Sequence, residues 1–293
     1  MDLCNPRVIR ILMEEAGIRF RRDYGQNFLV DSSVPENIAE ASAAGGAAVV
    51  LEIGPGVGCL TRELADRFER VLAVEIDRGL IGVLARTLAD KPNVTVISGD
   101  IMKMNLAGLF AEQGIDPAAT PVSVAANLPY YITTPILMTL LESGIPFRDI
   151  TVMVQKEVAD RLVAKAGSSD YGAITAVLGY WGKAEKLFGV PHSAFLPAPK
   201  VDSAVVRITL YPKPIYEIPD TAFFFTLIHG AFEMRRKTLQ NALSAKCPFL
   251  TKEDIADALR AMGLPEDIRG ERLSTADFAR LSQLLYPKTQ KNG

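Results

Sequence analysis

Leu51-Glu-Ile-Gly-Pro-Gly-Val-Gly58 is an apolar strand that runs into a glycine-rich turn before a helical stretch. Gly54, Gly56 and Gly58 allow backbone to approach a ligand where a Cβ would clash. The third glycine follows the second by two residues and Cys59 comes next, so the dinucleotide-binding fingerprint is not met. Glu75 ends the next apolar strand, 21 residues after Gly54, a spacing at which a carboxylate can accept hydrogen bonds from ribose hydroxyls. Asp100 ends the third strand and Asn127-Leu-Pro-Tyr130 the fourth. Taken singly, the turn, the two acids and the Asn loop could be structural: a strand-end charge, a helix cap, a tight turn. Ligands bind outside the carboxyl ends of parallel strands, so their recurrence at successive strand ends points to a nucleoside site.

These residues need a sheet behind them. Short apolar runs at Val49–Ile53, Val71–Val74, Val94–Ile97, Val122–Ala126 and Ile150–Val154 alternate with amphipathic stretches such as Leu60–Phe68 and Leu80–Leu88. That pattern predicts an α/β domain with a mostly parallel sheet covered on both faces. Glu185–Val190 and Ala204–Leu210 read as an antiparallel pair that closes it. Before it, Asn5, Pro6 and Gly17 mark a short helix, and a second helix starts near Asp31–Ser33. Beyond the Pro-rich linker 212–219, Phe223–Phe232, Lys237–Leu243, Lys252–Met262 and Thr275–Leu285 read as helices of a second, smaller domain. The expected organisation is an N-terminal arm over residues 1–30, a catalytic domain over 31–211 and a helical domain over 220–293.

The 293 residues are 48% apolar and 23% charged, the composition of a folded protein rather than a disordered or repetitive one. A net charge of −2 excludes a protein that coats nucleic acid by bulk charge. Cys4, Cys59 and Cys247 show no disulfide framework, and His192 and His229 show no metal-site spacing, so no metal is expected. The N-terminus lacks a secretory pattern, and the uncharged run from Pro117 to Leu141 carries four prolines, so neither export nor a membrane span is expected. A cytoplasmic location follows as the expectation.

Glu52-x-Gly54-x-Gly56-x-Gly58 resembles the class I S-adenosylmethionine-dependent methyltransferases, which implies a Rossmann-like fold with a mostly parallel seven-stranded sheet. By that resemblance Gly54 faces the methionine part of the cofactor, Glu75 holds the ribose and Asp100 bonds the adenine amine, with Gly56, Ile76 and Ile101 also binding the cofactor. Asn127-Leu-Pro-Tyr130 is similar to the Asn-Pro-Pro-aromatic loop of amino-methyltransferases, with Leu128 in the first proline position. The residue types suit a poorly nucleophilic adenine amine. The Asn127 side-chain carbonyl and the Leu128 backbone carbonyl, its turn fixed by Pro129, accept the two amine hydrogens and favour a pyramidal nitrogen. Tyr130 offers a face for a flipped base, and such stacking contributes roughly 1–3 kcal/mol.

With Tyr24–Asp31, Phe195–Ser203 and Phe232–Leu243, these motifs fall in the order seen in the ribosomal RNA adenine N6-dimethyltransferases, closest to the small-subunit branch. The resemblance spans roughly residues 20–285. It implies that Gln26, Asn27 and Leu29 close over the cofactor, with Asn127 also touching it, and that Phe195 stacks on the target adenine opposite Tyr130. The product would be two adjacent dimethyladenosines near the 3′ end of small-subunit (16S) rRNA within an immature 30S particle, with S-adenosylhomocysteine released. Net positive charge falls in residues 190–293 and net negative charge in 1–189. Arg19, Arg21 and Arg22, with Arg235, Arg236 and Lys237, are the candidate RNA contacts of a monomer. The competing readings are a large-subunit adenine dimethyltransferase of the macrolide-resistance type, a non-catalytic ribosome-assembly factor, and a protein-glutamine methyltransferase.

Overall fold

The structure is a computed structural model that describes residues 1–18 and 27–289. Its strands are β1 (Phe28–Leu29), β2 (Val49–Ile53), β3 (Arg70–Glu75), β4 (Val94–Ser98), β5 (Val122–Asn127), β6 (Asp149–Gln155), β7 (Gly182–Val190), β8 (Phe195–Leu196) and β9 (Ser203–Leu210). Seven of them form one sheet in the order β4-β3-β2-β5-β6-β9-β7, and β1 pairs with β8 in a separate antiparallel ribbon. Contacts β4–β3, β3–β2, β2–β5 and β5–β6 are parallel, whereas β9 runs antiparallel to β6. All five residues of β2 are buried, as expected of a central strand covered on both faces. This is the Rossmann-like class I methyltransferase architecture that the sequence motifs imply.

Helices fill the crossovers: α1 (Pro6–Glu15), α2 (Ser33–Ala43), α3 (Cys59–Ala65), α4 (Arg78–Thr87), α5 (Leu106–Glu112), α6 (Thr133–Glu142) and α7 (Lys156–Leu162). Asn5 caps α1 by accepting the Arg7 N–H at 2.9 Å, with Pro6 in the first turn where its missing N–H costs nothing. The apolar face of α1 (Ile9, Leu12, Met13) packs with Phe28, Val57, Leu80 and Val83, beside the glycine turn. Asp77 caps α4 through the Gly79 N–H at 3.0 Å, so α4 starts three residues after Glu75.

The remaining helices are α8 (Ala173–Trp181), α9 (Thr221–Glu233), α10 (Leu239–Lys246), α11 (Lys252–Ala261) and α12 (Thr275–Thr289). The chain divides into two compact units, Met1–Ala159 with Ala184–Leu210, and Asp160–Lys183 with Tyr211–Gly293. This corrects the sequence-based boundary: Asp160–Lys183 belongs with the C-terminal helices, not with a catalytic domain running unbroken over 31–211. The cause is packing. AITAVLGYW is apolar on nearly every face, and Tyr180 makes ring contacts with Trp181, Phe224 and Phe225 in the core of the second unit. The Thr275 hydroxyl also donates to the Ala176 carbonyl at 2.9 Å. Residues 212–219 carry neither helix nor strand.

Candidate functional site

The turn between β2 and α3 needs its glycines. Gly54, Gly56 and Gly58 have φ of +72°, +61° and +96°, the left-handed region that L side chains rarely enter. A Cβ on Gly56 would also lie 3.3 Å from the Phe28 ring, and one on Gly58 would lie 3.2 Å from the Thr87 hydroxyl. The turn therefore presents bare backbone at the carboxyl end of the sheet.

Glu75 stands beside that backbone at the end of β3. It is 4% exposed; its Oε2 accepts the Gly56 N–H at 3.2 Å and its Oε1 the Asp77 N–H at 2.7 Å. Burial raises its pKa, and the two backbone N–H groups oppose that shift. Glu52, the acid of the glycine motif, is buried at 1% exposure, and its Oε2 has no hydrogen-bond partner. Burial pushes its pKa up to about 8; the Thr61 hydroxyl nearby opposes the shift without reaching hydrogen-bond geometry, and the Glu75 charge adds to it.

Asn127 ends β5, paired in register with Met153 of β6. Its Nδ2 donates to the Asn27 carbonyl at 3.2 Å, which fixes the orientation of the amide and commits its N–H₂ side. The Leu128 N–H donates to the Met153 carbonyl at 3.1 Å, and Thr133 Oγ1 donates to the Pro129 carbonyl at 3.0 Å. The Asn-Leu-Pro-Tyr loop is thus held from β6 on one side and α6 on the other. Tyr130 is anchored at its hydroxyl, hydrogen-bonded to Ser203 Oγ at 2.7 Å, and burial raises its pKa.

One cleft, with about 820 Å³ of open space, joins these parts. It is lined by the glycine turn, Glu52, Glu75, Ile76, Asn27, Leu29 and Asn127–Tyr130, together with Phe28 and Cys59. Its position, outside the carboxyl ends of β2, β3 and β5, is where α/β sheets bind ligands.

Other expected residues lie elsewhere. Asp100 spends its Oδ1 on the Met102 N–H at 3.0 Å, capping the 3-10 turn Ile101–Lys103, and does not line the cleft. Ile101 is 5% exposed in the core and does not line the cleft either. Phe195 is corrected outright. Its backbone pairs with Leu29 in the β1–β8 ribbon, and its side chain, 3% exposed, packs with Leu29, Val34 and Ala194. A ring enclosed in this way offers no face to a base. Arg235 is engaged with the Glu271 carboxylate at 2.7 Å and the Ser169 carbonyl at 2.6 Å. Arg236 and Lys237 are exposed, with α10 starting only at Leu239, after its Thr238 cap. Gln26, Arg19, Arg21 and Arg22 lie outside the described residues.

Sequence reasoning missed Ser203 as the anchor of Tyr130 and Asn27 as the group that orients Asn127. Ser203 was within reach, since it closes the Phe195–Ser203 motif. The Asn27–Asn127 contact spans 100 residues and left no local signal. Among the described residues no group of three or more His, Cys, Asp or Glu is placed to hold a metal, and no helix is long and apolar enough to cross a membrane.

The sequence matches the family described as ribosomal RNA adenine dimethylase over residues 17–286. It is 42% identical to the ribosomal RNA small subunit methyltransferase A of Bacillus cytotoxicus, covering 99% of both chains. Among solved structures it resembles the 23S rRNA methyltransferase ErmE, with 28% identity, a TM-score of 0.65 and coverage of 89% of this chain and all of that one. It also shares its fold with a dimethyladenosine transferase from Plasmodium falciparum, with 23% identity, a TM-score of 0.69 and 98% coverage of each.

Proposed function

The chain belongs to the ribosomal RNA adenine dimethylase family, and from that premise we propose that it transfers methyl groups from S-adenosylmethionine to N6 of two adjacent adenosines near the 3′ end of 16S rRNA. Its substrate would be an immature 30S particle, met in the cytoplasm by a monomer. The observation that carries the reading is the Asn127 amide. Its N–H₂ side is committed to the Asn27 carbonyl, so Oδ1 is the group left to accept from a substrate amine.

The cleft suits the cofactor. The glycine turn gives close backbone approach, Glu75 lies where a ribose diol needs an acceptor, and the orphaned Glu52 Oε2 is a buried acceptor that an ammonium would satisfy. When bound, S-adenosylmethionine supplies an electrophilic methyl on a sulfonium. Asn127 Oδ1 and the Leu128 carbonyl hold the two amine hydrogens and turn the nitrogen lone pair out of the ring plane. Tyr130, fixed by Ser203, sets the plane of the base. Contacts of this kind speed the reaction to the extent that they tighten in the transition state. Methylation makes the amine acidic, so it loses its proton without a strong base.

The test is to incubate the protein with each immature ribosomal subunit and methyl-labelled cofactor, then map the label by mass spectrometry. Label at two adjacent adenosines of small-subunit RNA is expected. Label confined to large-subunit RNA, the substrate class named for ErmE, would overturn the reading.

A further inference from the structure

Leu3 and Cys4 form the turn before α1, and Cys59 is the first residue of α3, directly after the glycine turn. The Cys59 thiol donates to the Leu3 carbonyl at 2.9 Å, which ties the one turn to the other. The Leu3 carbonyl carbon is bonded to the Cys4 nitrogen, so the Cys59 sulfur lies no more than about 6 Å from the Cys4 Cα. Both are free thiols, and each is the largest influence on the ionisation of the other. The Cys59 thiol lowers the Cys4 pKa, against burial and the charges of Asp2, Glu63 and Asp31. The Cys59 pKa is raised, first by Cys4 and then by burial. Cys247, in the second unit, is fully buried, and burial raises its pKa.

Cys59 also lines the cleft, together with Phe28, Val57 and Leu80. Those three pack with Ile9, Leu12 and Met13 of α1, so α1 backs that wall. Leu3 belongs to the same apolar cluster, and Cys59 packs against it. A covalent bond between Cys4 and Cys59 would fasten α1 to the turn whose bare backbone faces the cleft.

We propose that Cys4 and Cys59 form an oxidation site, closed to a disulfide by hydrogen peroxide, that fixes α1 over the glycine turn and slows cofactor exchange. The effect on exchange rests on the cofactor assigned above; the bond itself does not. The Cys4 thiolate attacks one peroxide oxygen, the O–O bond breaks, and the leaving hydroxide takes a proton to become water. The Cys4 sulfur is then a sulfenic acid. Cys59 sulfur displaces its hydroxyl, which leaves with the Cys59 proton as a second water, and the S–S bond forms. The two thiols lose two electrons and the peroxide gains them. A dithiol reverses the step by exchange. Each methyl transfer spends one cofactor, so slower exchange limits repeated transfer.

The test treats the whole chain with hydrogen peroxide, blocks the remaining thiols with iodoacetamide and maps the peptides by mass spectrometry. A linked Cys4–Cys59 peptide, lost on adding dithiothreitol, is expected, with Cys247 still a thiol. Bound S-adenosylhomocysteine, chased with labelled S-adenosylmethionine, should leave the oxidised protein about tenfold more slowly, because release waits on opening of the wall. Cys4→Ser leaves the cleft lining untouched, so it should exchange at the reduced rate and ignore peroxide. If that variant fails to fold, dithiothreitol added to the oxidised unaltered protein makes the same comparison. Oxidation that ends in a sulfinic acid with no linked peptide overturns the proposal. A linked protein that exchanges cofactor at the reduced rate overturns it too. Failure of the reduced protein to bind S-adenosylhomocysteine would instead refute the cofactor reading, while the peptide map still reads the cysteine pair.

Discussion

Glu52→Gln separates what the cleft needs for stability from what it needs for binding. The carboxyl is buried at 1% exposure with an unpartnered Oε2, and its pKa stands at about 8 against 4.5 for an unburied glutamate. Because the folded-state pKa is raised, the folded chain binds the proton more tightly than the unfolded one. Its contribution is fully present below pH 4.5 and is lost as pH rises through 8. The shift of 3.5 units, at about 1.4 kcal/mol each, sets a full cost of about 5 kcal/mol. Between pH 5 and 8.5 about 4 kcal/mol of it appears. Glutamine has no such titration, so the variant should gain about 4 kcal/mol on the unaltered protein across that interval in urea unfolding. In the proposed cofactor site the charged form is the useful one, so the variant should bind S-adenosylmethionine more weakly while being more stable at alkaline pH. A stability difference that stays constant from pH 5 to 8.5 would refute the reasoning, whatever its size.

Asn127→Ala should cut turnover by at least a hundredfold with cofactor affinity nearly unchanged, read by single-turnover methylation and calorimetry; a normal rate would remove Asn127 from the mechanism. Asp149, 2% exposed, has its pKa raised by burial to about 6, and Ser123 Oγ donates to its Oδ2 at 3.0 Å. Its stabilising contribution is present below pH 3.8 and lost as pH rises through 6, so Asp149→Asn should stabilise by about 3 kcal/mol above pH 7 and by little near pH 4 in urea titrations. Neutralising Arg236 and Lys237 should lower the salt slope of RNA binding by about 0.9 per lost phosphate contact on a duplex. Neutralising Arg235 should change that slope less, because its guanidinium is engaged with Glu271 and Ser169.

The strands were legible because a fully buried strand is a continuous apolar run: Val49–Ile53 is read from sequence with the same limits that the structure gives it. Four crossover and domain helices were not, Lys156–Leu162 among them. Leu106–Glu112 is too short for a clear period, Thr133–Glu142 hides in a proline-bearing apolar run, and Ala173–Trp181 has apolar residues on nearly every side. Membership of that last helix in the second unit depends on Phe224 and Phe225, more than 40 residues away, and no local pattern records it. The site divides in the same way. Backbone-dictated features, the glycine turn and the Pro-fixed Asn loop, follow from residue type. Asp100 and Phe195 are of the right type, but a capping N–H and a pairing with Leu29 decide where they point.

Phe28 and Leu29 line one side of the cleft and are held by only two residues of a second strand, Phe195–Leu196, in the β1–β8 ribbon. The floor of the cleft belongs to a seven-stranded sheet. Free energies of local opening follow the amount of cooperative structure that must separate. Amide protons of the ribbon should therefore exchange with solvent orders of magnitude faster than those of β2 and β5. Because Asn27, which orients the Asn127 amide, adjoins that ribbon, the alignment of the amide lasts only as long as the ribbon stays closed, and the wall of the cleft keeps shorter time than its floor.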